Sequence, residues 1–174
     1  MIRKSRTIAI AAALSFLTVF ATSGGAQSRG TDFSLRAIEG EAVTGESLRG
    51  EVAVLAFGNS WLPLTRNQLE GVKKLADDYS GRGVVVYWVS TDSESLKSKN
   101  YASDEQLRTL ARKYKVSVLR DPDGVVSKKL GVDQLPSIVI FDKQGNIAGG
   151  GPIGGMDPTA NLATQLSARL DKIL

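Results

Sequence analysis

The chain has 174 residues, 42% hydrophobic and 23% charged, with 22 Lys and Arg against 18 Asp and Glu and neither cysteine nor histidine. Without cysteine there is no disulfide, thiolate nucleophile or lipidated anchor; without histidine the commonest general base is gone, and with both missing so are zinc's preferred ligands. The length and composition predict one globular domain whose chemistry, if any, rests on Ser, Thr, Lys, Tyr, Arg, carboxylates, a bound group or a partner.

Arg3, Lys4 and Arg6 precede an apolar run from Ile8 to Ala21 that is broken only by Ser and Thr and followed by Gly24-Gly25-Ala26. Residues 1–26 therefore read as a secretory signal peptide. Extended to Ala26, the same stretch is nearly long enough to act as an uncleaved N-terminal anchor, the only route to a membrane this sequence offers. Either reading exports residues 27–174, as a periplasmic or secreted domain or as one anchored facing the periplasm. Disulfides are permitted there, which makes the absence of cysteine more notable. Without the three leading cations, 19 Lys and Arg face 18 acids. A nucleic-acid partner then has no compositional support.

From Ser28 to Gly50 the chain is polar and turn-rich, with a turn at Glu39-Gly40-Glu41, and predicts a short edge hairpin. Val52 to Phe57 is continuously apolar between Gly50 and Gly58, the pattern of a strand buried on both faces. Leu69, Val72, Leu75, Ala76 and Tyr79 recur at helical spacing up to Ser80-Gly81. Val84 to Val89 repeats the buried-strand pattern, so strand, helix and strand form one crossover unit. Ser103 and Gln106 make a capping box, and Leu107, Leu110, Ala111 and Tyr114 line a second helix. Asp121-Pro122-Asp123-Gly124 is a turn into a short helical segment ending near Leu130-Gly131. After Gln134-Leu135-Pro136, Ile138 to Phe141 forms a strand, Asp142 to Asn146 a tight turn, and Ile147-Ala148 a weaker returning strand. A glycine-rich loop, Gly149 to Gly155, leads to a last helix with Asp157 as N-cap, Pro158 at its first position and Leu162, Leu166 and Leu170 on its buried stripe. The predicted fold is α/β, one central mixed sheet with helices on both faces.

This order resembles the thioredoxin-like fold, and is most similar to the exported TlpA-like redoxins of bacteria, a domain related to the AhpC/TSA peroxiredoxins. The resemblance runs from about Thr31 to the C-terminus. In that family the first core strand ends in an aromatic residue and runs into Trp-Cys-x-x-Cys at the start of a helix. Here the stretch reads Phe57-Gly58-Asn59-Ser60-Trp61-Leu62-Pro63-Leu64-Thr65-Arg66, so the resemblance puts Leu62 and Thr65 in the two cysteine positions. It maps the family's proline, usually cis and facing the motif, onto Pro136 in Leu135-Pro136-Ser137. It also brings a carboxylate that often tunes the second thiol to Gln68, an amide that transfers no proton.

The side chains agree with the loss of redox chemistry. Disulfide exchange needs a thiolate attacking sulfur, and Leu62 has no ionisable atom. Thr65 offers a hydroxyl but has no histidine to activate it. A peroxiredoxin alignment over Pro63-Leu64-Thr65 fails for the same reason. What remains is a surface of Trp61, Leu62, Pro63, Thr65, Leu135 and Pro136. In the family such a groove holds an extended partner segment by main-chain hydrogen bonds, a geometry that requires no sulfur. Packing of Trp61 and Leu62 against neighbouring loops is the competing explanation.

Other motifs carry less. Gly149-Gly150-Gly151-Pro152-Ile153-Gly154 satisfies G-x-G-x-x-G but lacks the following strand with its acidic residue, and reads as a flexible connection. Asp121 and Asp123 lack the spacing of a calcium loop and are explained by a turn. Asp77-Asp78 and Lys97 to Lys99 read as solvated charge, and Trp88 as core. Ser60 and Ser137 have no lysine nearby in sequence to activate them, and Arg66 stays protonated. No metal site or cofactor is expected. Two functions stay open: a redox-inactive binding or chaperone module for an extended polypeptide, or a thiol-disulfide oxidoreductase or peroxidase relative acting in redox homeostasis through a partner's cysteines. A domain retained only to stabilise a complex is a third.

Overall fold

A strand buried on both faces must be apolar at every position, and β3 (Val52–Gly58) meets that demand. All seven of its residues are buried. In the computed structural model, which describes residues 32–154 and 161–174, Val52, Val54 and Ala56 point into one core and Ala53, Leu55 and Phe57 into the other. The first core is roofed by α1 (Thr65–Asp78), α2 (Asp104–Tyr114) and α4 (Leu162–Leu170), through Leu69, Leu75, Leu107, Leu166 and Leu170 among others. The second lies under α3 (Val125–Lys129) and the N-terminal hairpin, where Phe33, Leu35, Val126 and Leu130 pack on Phe57 and Phe141. Helices thus lie on both faces of one sheet.

That sheet has seven strands in the order β2-β1-β5-β4-β3-β6-β7. β3 runs parallel to β4 (Val84–Ser90), which runs parallel to β5 (Ser117–Arg120), while β6 (Ser137–Phe141) is antiparallel to β3. The expected hairpin is β1 (Ser34–Ala37) with β2 (Val43–Thr44), in register Ser34 to Thr44, and its turn places Gly40 at φ 90°, a conformation glycine adopts without steric cost. β1 has a second neighbour, β5, pairing Arg36 with Arg120. The capping box forms as expected, with the Gln106 N–H donating to Ser103 Oγ and the Ser103 N–H to Gln106 Oε1.

Two expectations need correction, and one strand is not expected at all. β5 goes unannounced by the sequence, since four residues ending in arginine carry no strand periodicity. The returning strand expected at Ile147-Ala148 is only a single bridge from Ile147 to Phe141. Ala148–Gly150 is instead a 3-10 turn with Gly149 and Gly150 at φ 75° and 85°, outside the β region, and β7 (Ile153–Gly154) pairs with β6 only after it. Part of the expected glycine loop is therefore strand. The last helix starts at Leu162, capped by the Asn161 side chain accepting from the Ala163 N–H, while the expected cap Asp157 and Pro158 lie outside the described residues. Residues 1–26, with their signal or anchor, also lie outside them.

Strand directions set the location of the site. Gly58 pairs with Ser90, Ser90 with Arg120, and Phe57 with Ser137. The segments leaving β3, β4 and β5 and the one entering β6 therefore meet at one end of the sheet.

Candidate functional site: a cysteine-free groove at the sheet end

The loop between β3 and α1 is held from beneath by a buried carboxylate. Asp92, fully buried, accepts from the Ser60 N–H at 2.9 Å, from Ser60 Oγ at 3.1 Å and from Ser90 Oγ at 2.7 Å. The Asn59 carbonyl accepts from the Leu62 N–H and from the Thr65 hydroxyl, and the Leu62 carbonyl from the Thr65 N–H at 3.0 Å. With its backbone so engaged, the loop presents Trp61 to solvent, 59% exposed. Leu62 is half-buried beside it, and Pro63 and Leu64 are exposed.

Trp61, Leu62 and Leu135 line one shallow depression of about 420 Å³. Val132 completes the apolar wall, and Asn59, Thr91, Ser127, Lys128, Asp133 and Gln134 supply the polar one. The Leu135-Pro136 peptide bond is cis, and Pro136 is half-buried at the entry to β6 without lining the depression. Pro63 stands outside it as well. Thr65 corrects the sequence expectation: it is 4% exposed, with its hydroxyl spent on the Asn59 carbonyl, so it supports the loop from inside and offers no surface.

Gln68, in the first turns of α1, joins the loop to the core. Its amide nitrogen donates to the Phe57 carbonyl at 3.0 Å, and its oxygen accepts from the indole nitrogen of Trp88 at 2.9 Å. Trp88 is fully buried, as its place in an apolar run implies. A side chain at Gly58 would fall on Gln68 Oε1 and come within 3.1 Å of Trp88 Nε1, so glycine there leaves room for this bond.

A second cluster fixes the long loop after β4. Arg120 on β5, 3% exposed, pairs with Asp104 at 2.6 Å and donates to the Asp92 and Ala102 carbonyls. Arg36 on β1 binds Asp104 at 2.8 Å and Glu94 at 2.6 Å. The Arg36 hydrogen bond, assisted by Arg120, holds the Asp104 carboxyl well below the usual range, at about 2, and the same bond raises the Arg36 guanidinium further above neutrality. Asp121 accepts from the Val126 and Ser127 N–H groups and so caps α3. Asp92, Arg120 and Asp104 carry the architecture of this end, yet no sequence motif marks them, because apart from the Ser90 hydroxyl on Asp92 their partners are 16 or more residues away. Among the described residues no group of three or more Asp or Glu side chains could hold a metal ion.

A mixed sheet with helices on both faces, a helix opening beneath an exposed tryptophan, and a cis-proline bond entering the neighbouring strand define a thioredoxin-like domain. The chain belongs to the AhpC/TSA family, whose model matches residues 26–149. It is 27% identical over 118 residues to the thioredoxin-like protein YneN of Bacillus subtilis, covering 67% of this chain and 65% of that one. It is 30% identical over 117 residues to the thiol:disulfide interchange protein DsbE of Pseudomonas aeruginosa, covering 66% and 59%. These matches span less than two thirds of either relative. The fold is shared with a secreted Mycobacterium tuberculosis disulfide oxidoreductase, at 23% identity and a TM-score of 0.61 over 81% of this chain and 96% of that one. This member of the AhpC/TSA family contains no cysteine.

Proposed function

We propose that the protein is an exported, redox-inactive binding or chaperone module that holds an extended polypeptide in the depression formed by Trp61, Leu62 and Leu135. The observation that carries this reading is the 59% exposure of Trp61 on a loop whose backbone is anchored on either side of it, through the Ser60, Leu62 and Thr65 N–H groups. An exposed aromatic fixed beside Leu62, Leu135 and Val132 is a preformed contact, and aromatic anchors dominate binding energy. Leu135 adds main-chain groups: it lies outside the β6 ladder, which begins at Ser137, and its N–H and C=O have no backbone partner among the described residues. Those groups suit an added strand. Export rests on residues 1–26 and accords with the secreted mycobacterial relative.

Binding of the full chain to a permanently unfolded, cysteine-blocked polypeptide tests the reading. Saturable binding is expected, weakened about tenfold or more by Trp61→Ala. Absence of binding, or equal binding by the variant, overturns it. Insulin reduction and peroxide consumption are expected at the rate of a protein-free blank, and turnover above that blank overturns the redox-inactive part.

A further inference from the structure

We propose that the groove selects an acidic residue, so that the segment it holds carries an apolar side chain followed two positions later by Asp or Glu. This rests on the extended-polypeptide reading and adds the chemistry of the occupant.

Three donors in the lining lack partners among the described residues. Asn59 is 8% exposed; its Oδ1 accepts from the Thr91 hydroxyl, and its Nδ2 donates to nothing. Ser127 is 6% exposed; its N–H is spent on Asp121, and its hydroxyl has no acceptor. Lys128 forms no ion pair, whereas its neighbour Lys129 binds Asp32. Among the described residues the one buried side-chain nitrogen or oxygen without a partner is Arg120 Nε, so the Asn59 and Ser127 donors reach solvent, and with Lys128 they offer one depression three donors to an acceptor from outside.

A carboxylate answers this better than a neutral carbonyl. It has two oxygens and about four lone-pair sites, takes several donors at once, and gains a charge-assisted bond from Lys128. The apolar wall of Trp61, Leu62 and Val132 requires a hydrophobic neighbour. In an extended segment, residues i and i+2 face the same wall about 7 Å apart. A volume of about 420 Å³ accommodates two side chains and not a folded domain. Asp133, the carboxylate in the lining, repels a second acid and restricts the segment to one.

The probes are acetylated, amidated heptapeptides alike except for Leu-x-Glu, Leu-x-Gln or Leu-x-Lys at their centre, and the Leu-x-Gln peptide with a free C-terminal carboxylate. Each is titrated calorimetrically into the full chain. The Glu peptide is expected to bind about tenfold more tightly than the Gln peptide, and the Lys peptide more weakly than both. Lys128→Ala, at an exposed position, brings the Glu affinity down towards that of Gln. Equal affinity for Glu and Gln peptides overturns the acidic preference; the groove reading then survives only if Trp61→Ala weakens both. If the free-carboxylate Gln peptide matches the Glu peptide, a chain end is the ligand and the internal acidic residue is overturned. Failure of every peptide to bind overturns the groove along with the preference.

Discussion

The indole nitrogen of Trp88 donates to the Gln68 side-chain oxygen at 2.9 Å, and the Gln68 nitrogen donates to the Phe57 carbonyl at 3.0 Å. One amide therefore ties the core strand β4 and the end of β3 to the helix that carries the groove. Only a group that donates and accepts at once satisfies both neighbours.

Replacing that amide by a carboxylate turns one bond into a repulsion. Gln68→Glu keeps the acceptor for Trp88 but sets an anion against the Phe57 carbonyl, so the folded state favours the protonated acid and the carboxyl pKa rises above its unfolded value. The penalty is absent below the unfolded pKa and grows above it. Urea denaturation is expected to show a loss of about 1–3 kcal/mol at pH 7 and little loss at pH 4. An equal loss at both values would show that the effect is steric.

The helix start retains the geometry for a disulfide. The Thr65 N–H donates to the Leu62 carbonyl at 3.0 Å, which closes a turn and brings the two Cα atoms within bridging range. The double variant Leu62→Cys with Thr65→Cys is expected to lose both free thiols under mild oxidant. Thiols that stay titratable would show that the two positions do not face each other.

Acid stability is expected to follow Asp104. Its carboxyl, held at about 2 by Arg36 and Arg120, titrates well below its ordinary 3.8. A depressed folded-state pKa contributes stability that is complete above the unfolded value and is lost as pH falls through the folded one. Thermal unfolding should therefore show a decline between about pH 4 and pH 2 that is reduced in Asp104→Asn. A variant with the same acid profile would assign that decline to other carboxylates.

Asp92 underpins the exposed loop. Asp92→Ala strips acceptors from the Ser60 N–H and the Ser90 hydroxyl in a buried setting, and a loss of about 3 kcal/mol is expected in denaturant unfolding. Trp61 emission should change with it, since the loop loses its anchor. Unaltered stability would mean that the hydrogen bonds accepted by the Asn59 and Leu62 carbonyls suffice to hold the loop.

Much of the fold was legible because its signals are local. The alternate residues of β3, the stripe of Leu69, Val72 and Leu75, and the Ser103-Gln106 box each declare themselves within a few positions. β5 was silent because a four-residue strand is created by its neighbours, with Arg36 and Trp88 supplying the pairing positions. The displacement of the last strand to Ile153–Gly154 was likewise hidden, since only the chain path decides where Gly149 and Gly150 turn left-handed.

The candidate site divides in the same way. Composition alone determined that no thiol or imidazole chemistry is available, and the order of elements located the place where that chemistry is missing, because both depend on residue type and spacing along the chain. Tertiary structure decided which of those residues reach a surface: it buried the Thr65 hydroxyl, left Trp61 exposed, and gathered Asn59, Ser127 and Lys128 from distant segments into one lining. Burial and unpaired donors are properties of packing between segments far apart in sequence, and no local pattern encodes them.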